Sequence, residues 1–160
     1  MGAWDSFFVA QVSASAALTG LVFVALSINL ARVMTYPQLV QRAAEALIVL
    51  VAPVLIGMAI LMPSTSLRAT GLTVLAIAVL AALIVNLLLL RARAHAAARP
   101  AYELRVRVVN AEFAVAPQII GGILLIAQQS GGLRFVALGA GLSIVVGMFD
   151  AWVLLVEILR

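Results

Sequence analysis

The sequence contains no cysteine, which excludes disulfide bonds, thiolate metal sites and cysteine nucleophiles. Its single histidine, His95, lies among arginines, where a surface position is more common than a catalytic or metal-binding role. Neither a zinc-protease motif nor a nucleophile elbow nor a glycine-rich phosphate loop occurs. These absences predict a protein that is not an enzyme and that uses no cofactor.

Charged side chains are also scarce. Asp, Glu, Lys and Arg together make up 10% of the chain, whereas 66% of the residues are hydrophobic. A water-soluble domain is roughly one quarter charged, so this chain has too few polar side chains to cover a water-facing surface. The composition therefore predicts an integral membrane protein, built as a single membrane domain over residues 1–160.

Lysine is absent, so the net charge of +4 reflects ten arginines against six acids. Arginines in a membrane protein usually mark the cytoplasmic side, and binding to nucleic acid is therefore not expected. An arginine-only set of basic residues, in a chain rich in alanine and valine, is typical of bacteria with GC-rich genomes. We therefore expect a multi-pass protein of the bacterial plasma (inner) membrane.

Long apolar runs take the place of the missing charge. Backbone groups in lipid must be hydrogen-bonded within their own segment, which favours helices, and no segment alternates with the period of a strand. Runs close to the roughly 20 residues that cross a bilayer core predict five helices, over residues 7–31, 44–62, 71–90, 106–127 and 133–159. The expected fold class is all-α, with five transmembrane helices.

The arginines predict how these helices are oriented. Eight of the ten would share one side of the membrane with the C-terminus, and Arg68 and Arg134 would lie on the other side. Because positively charged loops stay inside, the C-terminus is expected in the cytoplasm and the N-terminus outside. Within the basic loop over residues 91–107, Arg93 and Arg99 are candidates for binding anionic lipid headgroups.

Carboxylates and amides fall in the cytoplasmic half of every predicted helix, where they could line an ion or proton pathway. They are Asn29, Glu45, Asn86, Asn110, Glu112 and Asp150. An acid at membrane depth costs about 2.5–3.5 kcal/mol on insertion scales, and no arginine lies within one turn of Asp150 to offset that cost. Asp150 is therefore the strongest candidate for a functional group.

The other two acids have simpler explanations. Glu45 opens a helix, where the helix dipole favours a negative charge, and Arg42 lies one turn away. Glu112 can pair with Arg105 on the same helix face. If both met Asp150 in the fold, the three carboxylates could hold a hard cation, so the sequence leaves a metal site open.

Two helix faces are candidates for packing or gating. Gly139, Ser143 and Gly147 repeat every fourth residue, which permits close helix contact, either as a seam inside one subunit or along a wet path or oligomer axis. Pro117 removes a helical hydrogen bond and frees a carbonyl near Phe113. Such a carbonyl could coordinate a cation, although many membrane helices contain proline without such a role.

The first predicted helix has two dissimilar faces. One carries Gln11, Ser15, Leu18, Val22 and Asn29, and the opposite one carries Ser13, Ala16, Ala17, Gly20 and Ser27. The first face is polar at both ends and aliphatic between them, as in a pore helix with a hydrophobic constriction, or in a core helix whose amides are hydrogen-bonded. The second face, of small residues, is a packing surface.

These patterns support two hypotheses of function. The first is a homo-oligomeric ion channel or small transporter, whose cation or proton pathway is lined by carboxylates of the cytoplasmic half; an oligomer is implied because five short helices do not easily enclose a pore. The second is a non-catalytic accessory or scaffold subunit that packs against other membrane proteins. Membrane lipids are partners in both.

The basic loop yields a prediction about lipid binding. Replacing Arg93 and Arg99 with glutamine removes two charges that each contribute around 1 kcal/mol of attraction to an anionic surface. The double variant should therefore bind acidic liposomes more weakly than the unmodified protein in a flotation assay. Equal binding would leave these arginines with a topological role alone.

Overall fold

A computed structural model of the chain describes residues 2–63, 66–94, 101–129 and 131–159. Over these residues the chain forms six helices: α1 Gly2–Ile28, α2 Leu30–Thr35, α3 Pro37–Leu61, α4 Leu67–Ala94, α5 Ala101–Ile126 and α6 Gly132–Leu159. All except the short α2 are long and apolar enough to cross a membrane. Over these residues the prediction of an all-α protein is confirmed, and five helices long and apolar enough to span a membrane indicate a multi-pass membrane protein.

The helices extend beyond the apolar runs that predicted them. α3 begins at Pro37 rather than at residue 44, and the segment predicted as a long basic loop is helical up to Ala94 and again from Ala101. Polar residues such as Gln38 and Gln41 end an apolar run, but they do not end a helix, because glutamine is a good helix former. Pro37 starts α3 because proline is favoured in the first turn, where its missing N–H has no intrahelical partner.

A bend at Asn29 separates α1 from α2. The Asn29 side chain donates a hydrogen bond of 2.9 Å to the Ala25 carbonyl, and its backbone N–H bonds the Leu26 carbonyl at 3.2 Å. Beyond the bend, Val33 of α2 is buried in a cluster with Leu26 and Leu39. The predicted face residue Asn29 therefore shapes the end of the first span.

The five long helices alternate in direction, and α3 and α6 lie at the centre of the bundle. α3 packs against α1, α4 and α6, while α6 packs against α1, α3 and α5. Every long helix contributes at least one buried residue to the main core cluster, among them Phe8, Ile56, Val74, Leu125 and Val136. Side chains from all five long helices thus meet in one apolar core.

Basic residues are concentrated at one end of the bundle. Helix segments at that end contain Arg32, Arg42, Arg91, Arg93, Arg105 and Arg107, whereas Arg68 and Arg134 lie in the first turns of α4 and α6 at the other end. We call the first of these the arginine-rich end. Arg99 and Arg160, which the sequence analysis assigned to the same side, lie outside the described residues.

Glycines bring α4, α5 and α6 into backbone contact. A β-carbon on Gly122 would lie 3.0 Å from the backbone nitrogen of Leu75, and one on Gly121 would lie 2.8 Å from the backbone nitrogen of Val136. Such close approach is how membrane helices gain packing contacts without a hydrophobic driving force. Neither backbone can yield as a flexible side chain would, so both positions require glycine.

This contact predicts a stability difference between two glycines. Gly121→Ala places a methyl group against the α6 backbone and should lower the free energy of unfolding by about 1–3 kcal/mol, as overpacking usually does. Gly20→Ala is the matched control, because no atom lies within 4 Å of the added β-carbon, and helix propensity favours alanine there. Thermal unfolding in detergent measures both, and equal melting temperatures would contradict the packing.

Candidate functional site

Five charged side chains from α3, α5 and α6 gather at the arginine-rich end, and we call them the ionic cluster. They are Arg42 and Glu45 of α3, Arg107 of α5, and Asp150 and Glu157 of α6. All five lie in helix segments that are long and apolar enough to cross a membrane. The cluster therefore lies between helices, close to one boundary of the apolar region.

The register of α6 against α3 brings Asp150 close to Glu45. Gly147 packs directly on Leu50, so close that a β-carbon would overlap the leucine side chain. From this contact point Asp150 lies three residues along α6, and Glu45 lies five residues along the antiparallel α3. At 1.5 Å per residue the two acids differ in depth by about 3 Å.

The register of α6 against α5 brings Arg107 to the same depth. Gly139 packs against Gln118, where a β-carbon would lie 2.9 Å from the backbone nitrogen. Eleven residues separate Gln118 from Arg107 along α5, and eleven separate Gly139 from Asp150 along α6. Asp150 accordingly interacts electrostatically with Glu45, Arg42 and Arg107.

Two ion pairs join the helices of the cluster. Arg107 Nη2 donates to Glu45 Oε2 at 2.5 Å, which links α5 to α3, and Arg42 Nη1 donates to Glu157 Oε1, which links α3 to α6. The Arg107 and Glu45 side chains are only 13% and 7% exposed. Because buried charges lose their hydration, each depends on its partner for stability.

Several polar atoms of these pairs remain unsatisfied. Glu45 Oε1, Glu157 Oε2 and Arg42 Nε are buried and have no hydrogen-bond partner among the described residues. A buried polar atom without a partner costs about 1–3 kcal/mol, more when it is charged. Two of these three atoms are carboxylate oxygens, which can accept hydrogen bonds.

Asp150 is the carboxylate of the cluster that takes part in neither ion pair. Within the described residues no hydrogen bond or ion pair joins it to another side chain, although both arginines lie within electrostatic range. It is partly buried, between the exposed aromatic residues Phe149 and Trp152 on the same helix. The cluster therefore holds three carboxylates against two guanidinium groups, one more negative than positive.

Glu112 and two of the predicted amides lie outside the cluster. Glu112 is exposed on α5, and its Oε1 accepts a 2.9 Å hydrogen bond from Asn86 Nδ2 of α4, rather than pairing with Arg105. Asn110 is partly buried one turn beyond Arg107. Across the described ranges, no three His, Cys, Asp or Glu residues come close enough to hold a metal ion, so Glu45, Glu112 and Asp150 do not form the hard-cation site considered from the sequence.

Deeper in the bundle, the small-residue repeat of α6 is a packing seam inside the subunit. Ser143 is buried between Gln118 and Ala114 of α5: Gln118 Nε2 donates to Ser143 Oγ at 2.8 Å, and Ser143 Oγ donates to the Ala114 carbonyl at 3.3 Å. Gln118 is fully buried and its Oε1 has no partner among the described residues. Pro117 contributes to the same contact with Gly139.

The polar face of α1 also points into the subunit. Gln11 and Ser15 are buried, and Gln11 Nε2 donates to Ser15 Oγ at 3.1 Å. Gln11 Oε1 lies against Gly57 of α3, and Val22 packs on the cluster around Leu26. Leu18 is partly buried along the same face. The polar face of α1 thus packs inside the single subunit, where Gln11 Nε2 is hydrogen-bonded and Gln11 Oε1 has no partner among the described residues.

Sequence reasoning missed the contribution of Arg42 and Arg107 to the cluster. It assigned Arg107 to a basic loop and considered Arg42 only as a neighbour of Glu45 on the same helix. The available signal was that both arginines lie within helix segments whose length and hydropathy are sufficient to cross a membrane. Arg93 lies in the last turn of α4, and Arg99 lies outside the described residues.

No protein-family model, no curated protein and no solved structure matches the chain.

The Arg107–Glu45 pair predicts a nonadditive effect on stability. Arg107→Gln leaves Glu45 buried without its partner and should lower the free energy of unfolding by about 3–5 kcal/mol. Combining it with Glu45→Gln removes both charges and should restore most of that loss. Arg105→Gln, at an exposed position two residues earlier, serves as the control.

Chemical denaturation in detergent measures the three variants. A double variant that is less stable than Arg107→Gln alone would contradict a direct pairing of the two charges. A destabilisation by Arg105→Gln as large as that by Arg107→Gln would indicate a general effect of positive charge at this end.

Proposed function

We propose that the protein is a small transporter or channel for protons or small cations, with the ionic cluster as its binding site. The observation that carries the proposal is the surplus carboxylate: Asp150 shares the cluster with two complete ion pairs and has no ion-pair partner of its own among the described residues. Burying an uncompensated charge is expensive. A proton or a monovalent cation would neutralise it.

The charge balance explains why such a ligand could come and go. With both arginines paired, the cluster binds one positive charge to become neutral and releases it to become negative. The neighbouring guanidinium groups of Arg42 and Arg107 limit the cost of the negative state, because an opposite charge nearby favours the ionised carboxylate. A site of moderate affinity is what conduction requires.

Buried polar groups toward the opposite end of the bundle would provide further binding positions for the transported ligand. The Gln118–Ser143 pair lies two turns, about 10 Å, from Asp150 along α6, and the Gln11–Ser15 pair lies nearer the opposite end. Between Asp150 and Ser143 the bundle is closed by apolar side chains, among them Leu50. Transport along this route therefore requires that these apolar side chains move apart, or that water enters between them transiently.

Orientation and assembly are part of the same proposal. The arginine-rich end is placed in the cytoplasm of a bacterium because positive residues are retained inside, which puts the cluster at the inner boundary of the plasma membrane. A homo-oligomer would form through the face of α1 that carries Ala16, Ala17 and Gly20, since these small residues are exposed in the single subunit. Small exposed residues permit close helix packing.

The same face of α1 favours a second candidate function. α1 is the least buried of the five long helices: only 17% of the residues in its most apolar 18-residue stretch are buried inside the subunit. A helix of another membrane protein could pack on it, in which case the chain would be a non-catalytic accessory or scaffold subunit. Purification from native membranes separates the two: a foreign subunit at fixed stoichiometry supports this candidate, and a symmetric oligomer of this chain supports the first.

Flux into liposomes tests the proposed transport. Asp150→Asn keeps the size of the side chain but removes the charge that binds the ligand, so proton or cation flux should fall to the rate of protein-free liposomes. Glu112→Gln is the matched control, because Glu112 is an acid of the same half that lies outside the cluster, and its flux should stay close to that of the unmodified protein.

Two results would overturn the transport proposal. One is flux through the Asp150→Asn protein with unchanged rate and ion selectivity. The other is unmodified protein, correctly inserted as judged by protease protection, whose proton and cation flux does not exceed that of empty liposomes.

A further inference from the structure

We propose that the outer surface of α4 and α5 around Glu112 binds a transmembrane helix of another protein, one that carries an arginine or lysine at the depth of Glu112. This surface, which we call the Glu112 surface, consists of Glu112 and Asn86 together with the exposed Leu87, Val109 and Phe113. α1, which carries the surface proposed above for an oligomer or an accessory contact, packs against α3 and α6. The Glu112 surface is therefore a separate one, and the proposal does not depend on the proposed transport.

Glu112 is an exposed acid well inside a helix that can span the membrane. It lies seven residues beyond Arg105, the first residue of the α5 span, which is about 10 Å at 1.5 Å per residue. Val109 and Phe113, before and after it on α5, are each 61% exposed, so apolar surface surrounds the carboxylate. Long lysine and arginine side chains can extend to the headgroups, but a glutamate side chain is too short. Because an acid at membrane depth is costly, Glu112 needs a partner at its own depth.

The subunit supplies this carboxylate with a single hydrogen bond among the described residues. Asn86 Nδ2 donates to Glu112 Oε1 at 2.9 Å and to the Ala82 carbonyl at 2.9 Å, so both hydrogens of the amide are used. Neither of the two ion pairs found within the described ranges includes Glu112. Glu112 Oε2 can therefore accept a hydrogen bond from a neighbouring molecule.

The other charged residues near this part of the bundle do not compensate Glu112. Arg107 is held in its buried ion pair, and Arg91 of α4 is engaged in an interaction of its own. Arg105 is exposed at the end of the span, about 10 Å away along α5. Glu103, in the first turn of α5 and outside the span, is itself an acid and contributes no positive charge.

Charge complementarity favours a foreign helix over a second copy of this chain. Each arginine of the described spans either belongs to an ion pair or lies in the first or last turn of its span, and the exposed small residues of α1 carry no charge. A helix with a basic residue about 10 Å inside the membrane would form a charge-assisted hydrogen bond with Glu112 Oε2. Its apolar side chains would contact Leu87, Val109 and Phe113.

Association with designed transmembrane peptides tests the charge preference. Gln129→Cys, at an exposed position just beyond α5, places a donor dye on a chain that otherwise contains no cysteine. The acceptor dye is attached to a polyleucine peptide that carries one arginine about seven residues, or 10 Å, inside its apolar stretch. In phosphatidylcholine liposomes, energy transfer should show about tenfold tighter association of this peptide than of the same peptide with leucine at that position.

Two variants show whether Glu112 provides the preference. Glu112→Gln removes the charge but keeps an oxygen that accepts the Asn86 hydrogen bond, and the arginine peptide should then associate no more tightly than the leucine peptide. Asp5→Asn, which removes an exposed acidic charge from α1, is the matched control and should preserve the difference. A peptide whose arginine is moved to its last turn should lose most of the advantage, because that arginine no longer lies at the depth of Glu112.

The proposal fails if the two peptides associate equally with the unmodified protein, or if the arginine peptide keeps its advantage over the leucine peptide on the Glu112→Gln protein. Photo-crosslinking from position 109 in native membranes gives an independent result. Capture of a protein with a basic residue inside a membrane helix, lost from the Glu112→Gln protein, supports the proposal. Capture of a second copy of this chain, of lipid alone, or of a protein without such a residue overturns it.

Discussion

The buried ion pair between Arg107 and Glu45 is the interaction on which the arginine-rich end of this protein depends. It links α5 to α3, two helices that have few other contacts with each other. Its two charges are almost fully removed from solvent, so either one alone would be strongly destabilising. The pair therefore engages both residues and leaves Asp150 as the acid that has no ion-pair partner among the described residues.

Close packing around glycine makes that ionic arrangement possible. Gly147 lets Leu50 of α3 lie directly against α6, and Gly139 does the same for Gln118 of α5. With α6 in contact with both neighbours, side chains from three helices reach one another at the end of the bundle. A larger residue at either glycine would separate the helices and lengthen the distances between charges. The attraction between two charges falls as the inverse of their distance.

The surface of the bundle divides into regions of different character. The exposed small residues of α1, such as Ala16 and Gly20, allow a helix to approach closely, whereas a groove between α3 and α4 is edged by large side chains such as Leu80. In a bilayer, where apolar contact with lipid and with protein is nearly equal in energy, shape decides which of the two covers a surface.

The sequence by itself determined the fold class and the number of spanning helices, because apolar length and the need to satisfy backbone groups in lipid are local properties. It also singled out Asp150 as a charge that needs compensation. It could not determine the helix ends, since polar residues such as Gln41 end an apolar run without ending a helix. Only the tertiary structure decided which positive charges lie near which negative charges. Asp150 has no arginine within a turn of its own helix, and Arg42 and Arg107 come near it through the antiparallel register of three helices, a relation between positions more than 40 residues apart that no local pattern encodes.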